Sequence, residues 1–203
     1  GLWQRIEAVF RAFGWDVVVV KHGALQRAAF AEPGGARLRD WIDNCPNQLY
    51  SALTFQGGAA WRKRLMDEIG DQGETSAFLA RRSDEELAEL MGNLGGHCVE
   101  SLAEAFDAAS SERPTVFLAY TIKGWGTPLA GHKDNHAGLM TTAQMETFRA
   151  AMGVAEGAEW EPFCATADPH GLRGFLAEAP FFAEGPRRFK AAKVASDGPA
   201  FLD

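Results

Sequence analysis

A chain of 203 residues suits one domain, with or without an extension, and its 46% apolar and 23% charged content is that of an ordinary globular protein. No run approaches the roughly 18 apolar residues that span a bilayer, and a formal net charge of −7 argues against a generic binder of nucleic acid or anionic membrane. Cys45, Cys98 and Cys164 are odd in number and widely spaced, so they form neither a disulfide framework nor a zinc pattern, and a reducing cytoplasm is the default setting.

Leu2, Ile6, Val9, Phe10 and Phe13 recur at helical spacing and Gly14 follows as a stop, so the chain is predicted to open on a helix. Trp15-Asp-Val-Val-Val-Val20 is a β-prone run, predicted as a buried strand. A helix followed within a few residues by a strand is the repeating unit of a parallel α/β sheet. His22-Gly23 stands at that strand's carboxyl end, where it either faces a ligand or serves as a turn histidine satisfied by backbone.

A long, mainly helical insertion follows. Leu38, Trp41 and Ile42 mark one apolar face, and Trp61, Leu65, Met66 and Ile69 mark another. Cys45-Pro-Asn47 breaks the chain between them, and Gly57-Gly58 precedes the second. Ser83-Asp-Glu-Glu86 is a capping-box pattern, in which the serine bonds a free N–H and the glutamate reaches back. It should open a helix through Met91, ended by Gly92 and Gly95-Gly96. A helix over about 99–109 carries Leu102, Ala105 and Phe106 on one side.

The apolar run 116–122 reads as a second strand that stops at Lys123-Gly-Trp-Gly126, and a polar loop rich in Gly and His runs on to Met140. Ligands of open α/β sheets gather beyond the carboxyl ends of the strands. Lys123, His132 and His136 therefore stand where such an enzyme would hold an anionic ligand. Thr141-Thr-Ala-Gln144 then caps a helix with Met145, Phe148, Ala151 and Met152 as its apolar stripe, ended by Gly153. Trp160-Glu-Pro-Phe163 reads as extended, Asp168-Pro169 as the start of a helix through Ala179 that Pro180 stops, and 185–203 as a connector. Two strands beside six or more helices give too little sheet for two helical layers, so the chain reads as part of a larger α/β sheet domain.

Thr121-Ile-Lys-Gly-Trp-Gly126, with His136 ten residues on, resembles the end of the diphosphate-binding domain in transketolase-like thiamine diphosphate enzymes. Within that superfamily the homodimeric pyruvate dehydrogenase decarboxylating component is the closer match. Phe13-Gly-Trp15, Gly58-Ala-Ala-Trp-Arg62, and Ser83-Asp-Glu-Glu-Leu followed by Gly95-Gly-His97 are similar to that family in the same order. The resemblance covers about residues 1–150. It implies that 1–153 are the C-terminal part of a diphosphate-binding domain, a parallel sheet flanked by helices with a large helical insertion. Residues 154–203 would be the linker toward a pyrimidine-binding domain.

By the same resemblance Lys123, Gly124 and His132 would lie against the thiamine diphosphate, and Lys123 and His136 would act in catalysis. The family's Gly-Asp-Gly motif is missing; Gly70-Asp-Gln-Gly73 is the nearest string, but it falls between helices. The ligands for Mg²⁺ are thus expected upstream of Gly1 and the catalytic glutamate downstream of Asp203. The implied activity is decarboxylation of a 2-oxo acid, first of all pyruvate, with the acyl unit passed to a lipoyl-bearing acyltransferase. The implied assembly is a homodimer completed by the remaining segments of the same enzyme, and the isolated chain is expected to be inactive. Two other readings stay open: a transketolase moving two-carbon units between sugar phosphates, and a non-catalytic interaction module with a degenerate form of the fold.

Overall fold

The computed structural model describes residues 2–179, apart from 72 and 111. The Pro180 stop and the connector expected over 185–203 lie outside the described residues. The chain divides into two compact units, residues 1–141 and 142–203.

In the first unit, α1 (Leu2–Ala12) leads into β1 (Asp16–Val20), and Gly14 makes the turn between them at φ 78°. The helical insertion comprises α2 (Ala24–Phe30), α3 (Gly35–Asn44), α4 (Asn47–Gln56), α5 (Gly58–Ile69), α6 (Gly73–Ala80) and α7 (Asp84–Gly92). A single 3₁₀ turn (Gly95–His97) and α8 (Val99–Asp107) lead to β2 (Thr115–Ala119). The strands pair in parallel, Asp16 opposite Thr115 through to Val20 opposite Ala119.

The core belongs to the insertion more than to the sheet. Leu38, Leu65, Phe78, Leu79, Leu87 and Met91 are fully buried, and Trp61 is 1% exposed. Arg62 on α5 donates to the carbonyls of Leu79 and Arg82 and to the Asp84 carboxylate, which fixes α5 against the α6–α7 junction. The Tyr50 hydroxyl on α4 donates to the Met91 carbonyl at 2.6 Å and accepts from Gln26 Nε2 on α2 at 3.2 Å. Buried polar groups are tolerated when paired in this way. Ser83 and Glu86 form the expected reciprocal cap, so α7 starts and ends as its sequence dictates.

Five expectations need correction. Val20 is the one fully buried residue of β1, and Val19 is 42% exposed, because the two described strands pair only with each other. The run predicted as strand to Ile122 ends as strand at Ala119; the Tyr120 amide still donates to the Val20 carbonyl, and beyond it the Gly95–His97 turn takes over, Gly96 bonding the Tyr120 carbonyl and His97 the Ile122 amide. Met66 is 36% exposed and Phe106 57% exposed, so each falls off the stripe assigned to it; Phe106 instead meets Phe117 edge-on at 4.7 Å.

The fourth correction is in the second unit, which holds α9 (Thr142–Ala151) and α10 (Pro169–Glu178). Residues 160–163 turn instead of extending, with Phe163 at φ 65° and the Cys164 amide bonded back to the Glu161 carbonyl. Asp168 caps α10 as expected, its carboxylate accepting from the Gly171 amide at 2.8 Å. The fifth is on α9, where Phe148 is half-buried but Met145 and Met152 are exposed, so both methionines fall off the stripe assigned to them. Among the described residues no helix is long and apolar enough to cross a membrane.

Candidate functional site

Both strands of the first unit deliver their carboxyl ends to one edge, and a glycine strap ties those ends together. The Gly95 amide donates to the Lys21 carbonyl and the Gly96 amide to the Tyr120 carbonyl, each at 2.9 Å. A Cβ on Gly95 would lie 2.4 Å from the Val20 carbonyl oxygen, and one on Gly96 would lie 2.6 Å from Thr121 Cγ2. Only glycine lets the strap approach so closely. The strap places His97 beside the segment after β2, where Nε2 accepts the Ile122 amide at 2.7 Å and the ring stacks on Trp125 at 4.5 Å.

Lys123 follows directly. Its carbonyl accepts from the Gly131 amide at 3.0 Å and from Asn135 Nδ2 at 2.7 Å, which closes the loop on its own beginning. Gly124 makes the turn at φ 74°, and its carbonyl accepts from the Thr127 hydroxyl at 2.7 Å. Gly131 brings the loop against α4 so tightly that a Cβ there would lie 2.3 Å from the Ser51 carbonyl oxygen. His132 then packs its ring 4.5 Å from Phe55 of α4 and accepts the Asp134 amide at Nδ1.

Lys123 borders two cavities. One, of about 590 Å³, lies along the strand ends among Trp3, Lys21, Asp43, Tyr120 and Thr121. The other, of about 510 Å³, lies between α4 and the loop among Asn47, Phe55, His132 and Lys133. Of the residues singled out from sequence, Lys123 and His132 thus share a cleft. Gly124 shapes the turn without lining either cavity, and His136 is exposed on the far part of the loop and lines neither.

Lys21 and Asp43, which line the strand-end cavity, form with His22 a charge cluster whose pairing local sequence does not show. Lys21 Nζ lies 2.7 Å and His22 Nε2 3.0 Å from the same Asp43 oxygen. Partial burial would raise the Asp43 pKa, but Lys21 and His22 outweigh it and hold the carboxyl below its usual range. Burial lowers the His22 pKa, with Asp43 opposing. Burial likewise lowers that of His97. His22 is therefore neither bare ligand nor backbone-satisfied turn residue; it is the partner of an acidic side chain 21 positions away.

Both histidines bind their proton less readily in the folded chain than when unfolded. Their contribution to stability is fully present above pH 6.5, the unfolded value, and is lost as pH falls through the lowered folded value. The urea midpoint should therefore fall between pH 7.5 and pH 5, and His97→Gln should shrink that fall. An equal fall in the variant would remove His97 from the account.

The fit of a metal-bridged diphosphate is partial. Among the described residues no group of three or more His, Cys, Asp or Glu could hold a metal ion. Asp71, in the string nearest to the missing motif, pairs with Arg37 at 3.0 Å. Lys21 is neutralised by Asp43, which leaves Lys123 as the cation at this edge without a carboxylate in salt-bridge range among the described residues. Among the described residues the edge offers one wall and one charge for an anion, and no ligand set for its metal.

No family model matches the sequence. Curated relatives do. The chain is 32% identical over 136 residues to the pyruvate dehydrogenase E1 component of Cupriavidus necator, covering 66% of this chain and 14% of that protein. The E1 component of Corynebacterium glutamicum is 30% identical over 145 residues, covering 70% of this chain and 15% of the relative. That of Pseudomonas aeruginosa is 31% identical over 149 residues, covering 72% and 16%. The chain is a relative of one segment of the pyruvate dehydrogenase E1 component. It spans about 15% of the length of the relatives it matches. The likeness to pyruvate dehydrogenase E1 extends over about two thirds of the chain, far beyond the Thr121–Gly126 string that first suggested it.

Proposed function

We propose that this chain is a segment of a thiamine diphosphate-dependent enzyme that decarboxylates a 2-oxo acid, pyruvate first, and passes the acyl unit to a lipoyl carrier on an acyltransferase. The observation that carries this is the similarity to pyruvate dehydrogenase E1 components, joined to a lysine on the carboxyl edge of a parallel strand. When bound, the cofactor would supply the electron sink for decarboxylation.

The chain's own residues would orient and neutralise. The Lys123 ammonium would attract the diphosphate or the substrate carboxylate, since a fixed cation is worth most where water is displaced. Gly124 would let the backbone turn away beneath that ligand. His132 would present a polar ring edge across the Phe55 cleft. His136, on the exposed part of the loop, would exchange a proton with the substrate or product oxygen near neutral pH. Residues 1–153 would complete a diphosphate-binding domain whose Mg²⁺ ligands lie in other segments, with 154–203 linking onward, in a cytoplasmic homodimer.

A second reading rests on His132 sharing a cleft with Lys123: a transketolase would use such a pair on a sugar phosphate. Assaying the complete enzyme with pyruvate and an artificial electron acceptor, and separately with a ketose phosphate and an aldose, decides between them. Turnover with pyruvate is expected; turnover with the sugars alone would replace the first reading by the second. Isothermal titration of thiamine diphosphate and Mg²⁺ into the 203-residue chain is expected to show no metal-dependent binding, and tight binding would mean that the metal ligands are within it.

A further inference from the structure

We propose that His97 is a positioning residue for Lys123, clamping the backbone on either side of it so that the ammonium stands at the strand edge. This rests on the reading of Lys123 given above.

The clamp has two points. Just before Lys123, the Ile122 amide has left the β ladder and donates to His97 Nε2 at 2.7 Å. Ile122 is 4% exposed and packs in the core, so its amide has little room to turn toward water. A buried donor without an acceptor costs about 1–3 kcal/mol in general. Just after Lys123, the Trp125 ring lies on the same imidazole at an interplanar angle of 10°. One side chain therefore touches residues 122 and 125, and Lys123-Gly124 is the bracketed turn.

His97 can serve in this way because its own backbone is fixed. Its amide donates to the Leu94 carbonyl at 2.9 Å, and the preceding two glycines bond to the ends of both strands. The Lys123 carbonyl is tied as well, by Gly131 and Asn135. Among the described residues these ties fall on the lysine's backbone or on its neighbours, which leaves the side chain available for a ligand. To accept from an amide, Nε2 must be unprotonated with the proton on Nδ1. Burial favours that neutral ring, and no charged neighbour among the described residues shifts it.

The two contacts separate by substitution. Gln can place an amide oxygen near the Nε2 position but cannot stack; Phe stacks but cannot accept. In the complete enzyme, His97→Phe should raise hydrogen exchange in the peptide spanning 120–126. It should lower kcat about tenfold to a hundredfold with a smaller change in KM, the scale of a catalytic group misplaced by about an ångström. His97→Gln should restore most of the protection and most of kcat. Trp125→Leu, which leaves the acceptor in place, should give an intermediate effect and serves if His97→Phe does not fold. Unchanged exchange and kcat in His97→Phe, or in Trp125→Leu where it stands in, would overturn the clamp. So would raised exchange with kcat intact, or a His97→Gln variant as impaired as His97→Phe. Wild-type turnover of pyruvate reports on the underlying reading, whereas exchange reports on the clamp alone, so the two can fail separately.

Discussion

Replacing Lys123 by Ala in the complete enzyme is expected to lower kcat/KM for the 2-oxo acid by about 10²–10³-fold, the usual loss on removing one preorganised electrostatic contact. The side chain is exposed and, among the described residues, has no carboxylate partner, so its charge is not spent on the fold. The same substitution should shift the unfolding free energy by no more than about 0.5 kcal/mol, as surface changes generally do. Lys123→Arg keeps the charge but moves it outward on a longer planar group, and should recover activity only in part. Activity of Lys123→Ala within threefold of wild type would remove this residue from the site. A large loss of stability would instead show that its side chain has a structural role.

The second large effect concerns the scaffold. Trp61→Ala is expected to cost about 3–5 kcal/mol, the range for deleting a large buried aromatic. Trp61 is 1% exposed and meets Trp41 at 5.9 Å and Tyr50 at 4.8 Å, both edge-on. Domains of this kind are held by only about 5–15 kcal/mol, so such a loss removes a large share of the total. Urea unfolding followed by circular dichroism measures it directly. Trp61→Phe, which keeps one ring, should lose clearly less. A midpoint unmoved by Trp61→Ala would mean that the α3–α4–α5 cluster is not the centre of stability. The effect should extend to the candidate site, because Tyr50 and Ser51 on α4 border the strand-end cavity.

Local rules made part of this molecule readable. The capping box at Ser83, the Asp168 cap and the apolar period of α3 each act within a few residues and appear as expected, and the β-branched run before Lys21 forms its strand, though not a buried one. The end of β2 is not readable, because what replaces the ladder beyond the Tyr120 amide comes from Gly95–His97, more than twenty positions away. Strand burial was overestimated for a similar reason: a run of valines shows what a strand could bury, not which layers cover it. Among the site residues, Lys123 and His132 follow from a strand end and a polar loop. His97 was visible only as part of a family-like string, since nothing local distinguishes an acceptor of a distant amide. Lys21 carried the same strand-end signal as His22, but its pairing with Asp43 needed the third dimension.

The bonds that end on the Lys123 carbonyl turn residues 123–135 into a ring closed at a single oxygen. Chain length inside the ring and chain length before it then have unequal consequences. Extra residues between Trp125 and Ala130 enlarge a loop whose closure cost grows only slowly, roughly 0.6 kcal/mol per doubling. They leave the lysine where it is. One extra residue between Ala119 and Ile122 would slip the amide past His97 and carry the whole ring away from the strand edge. Variation in length belongs on one side of that carbonyl and not on the other.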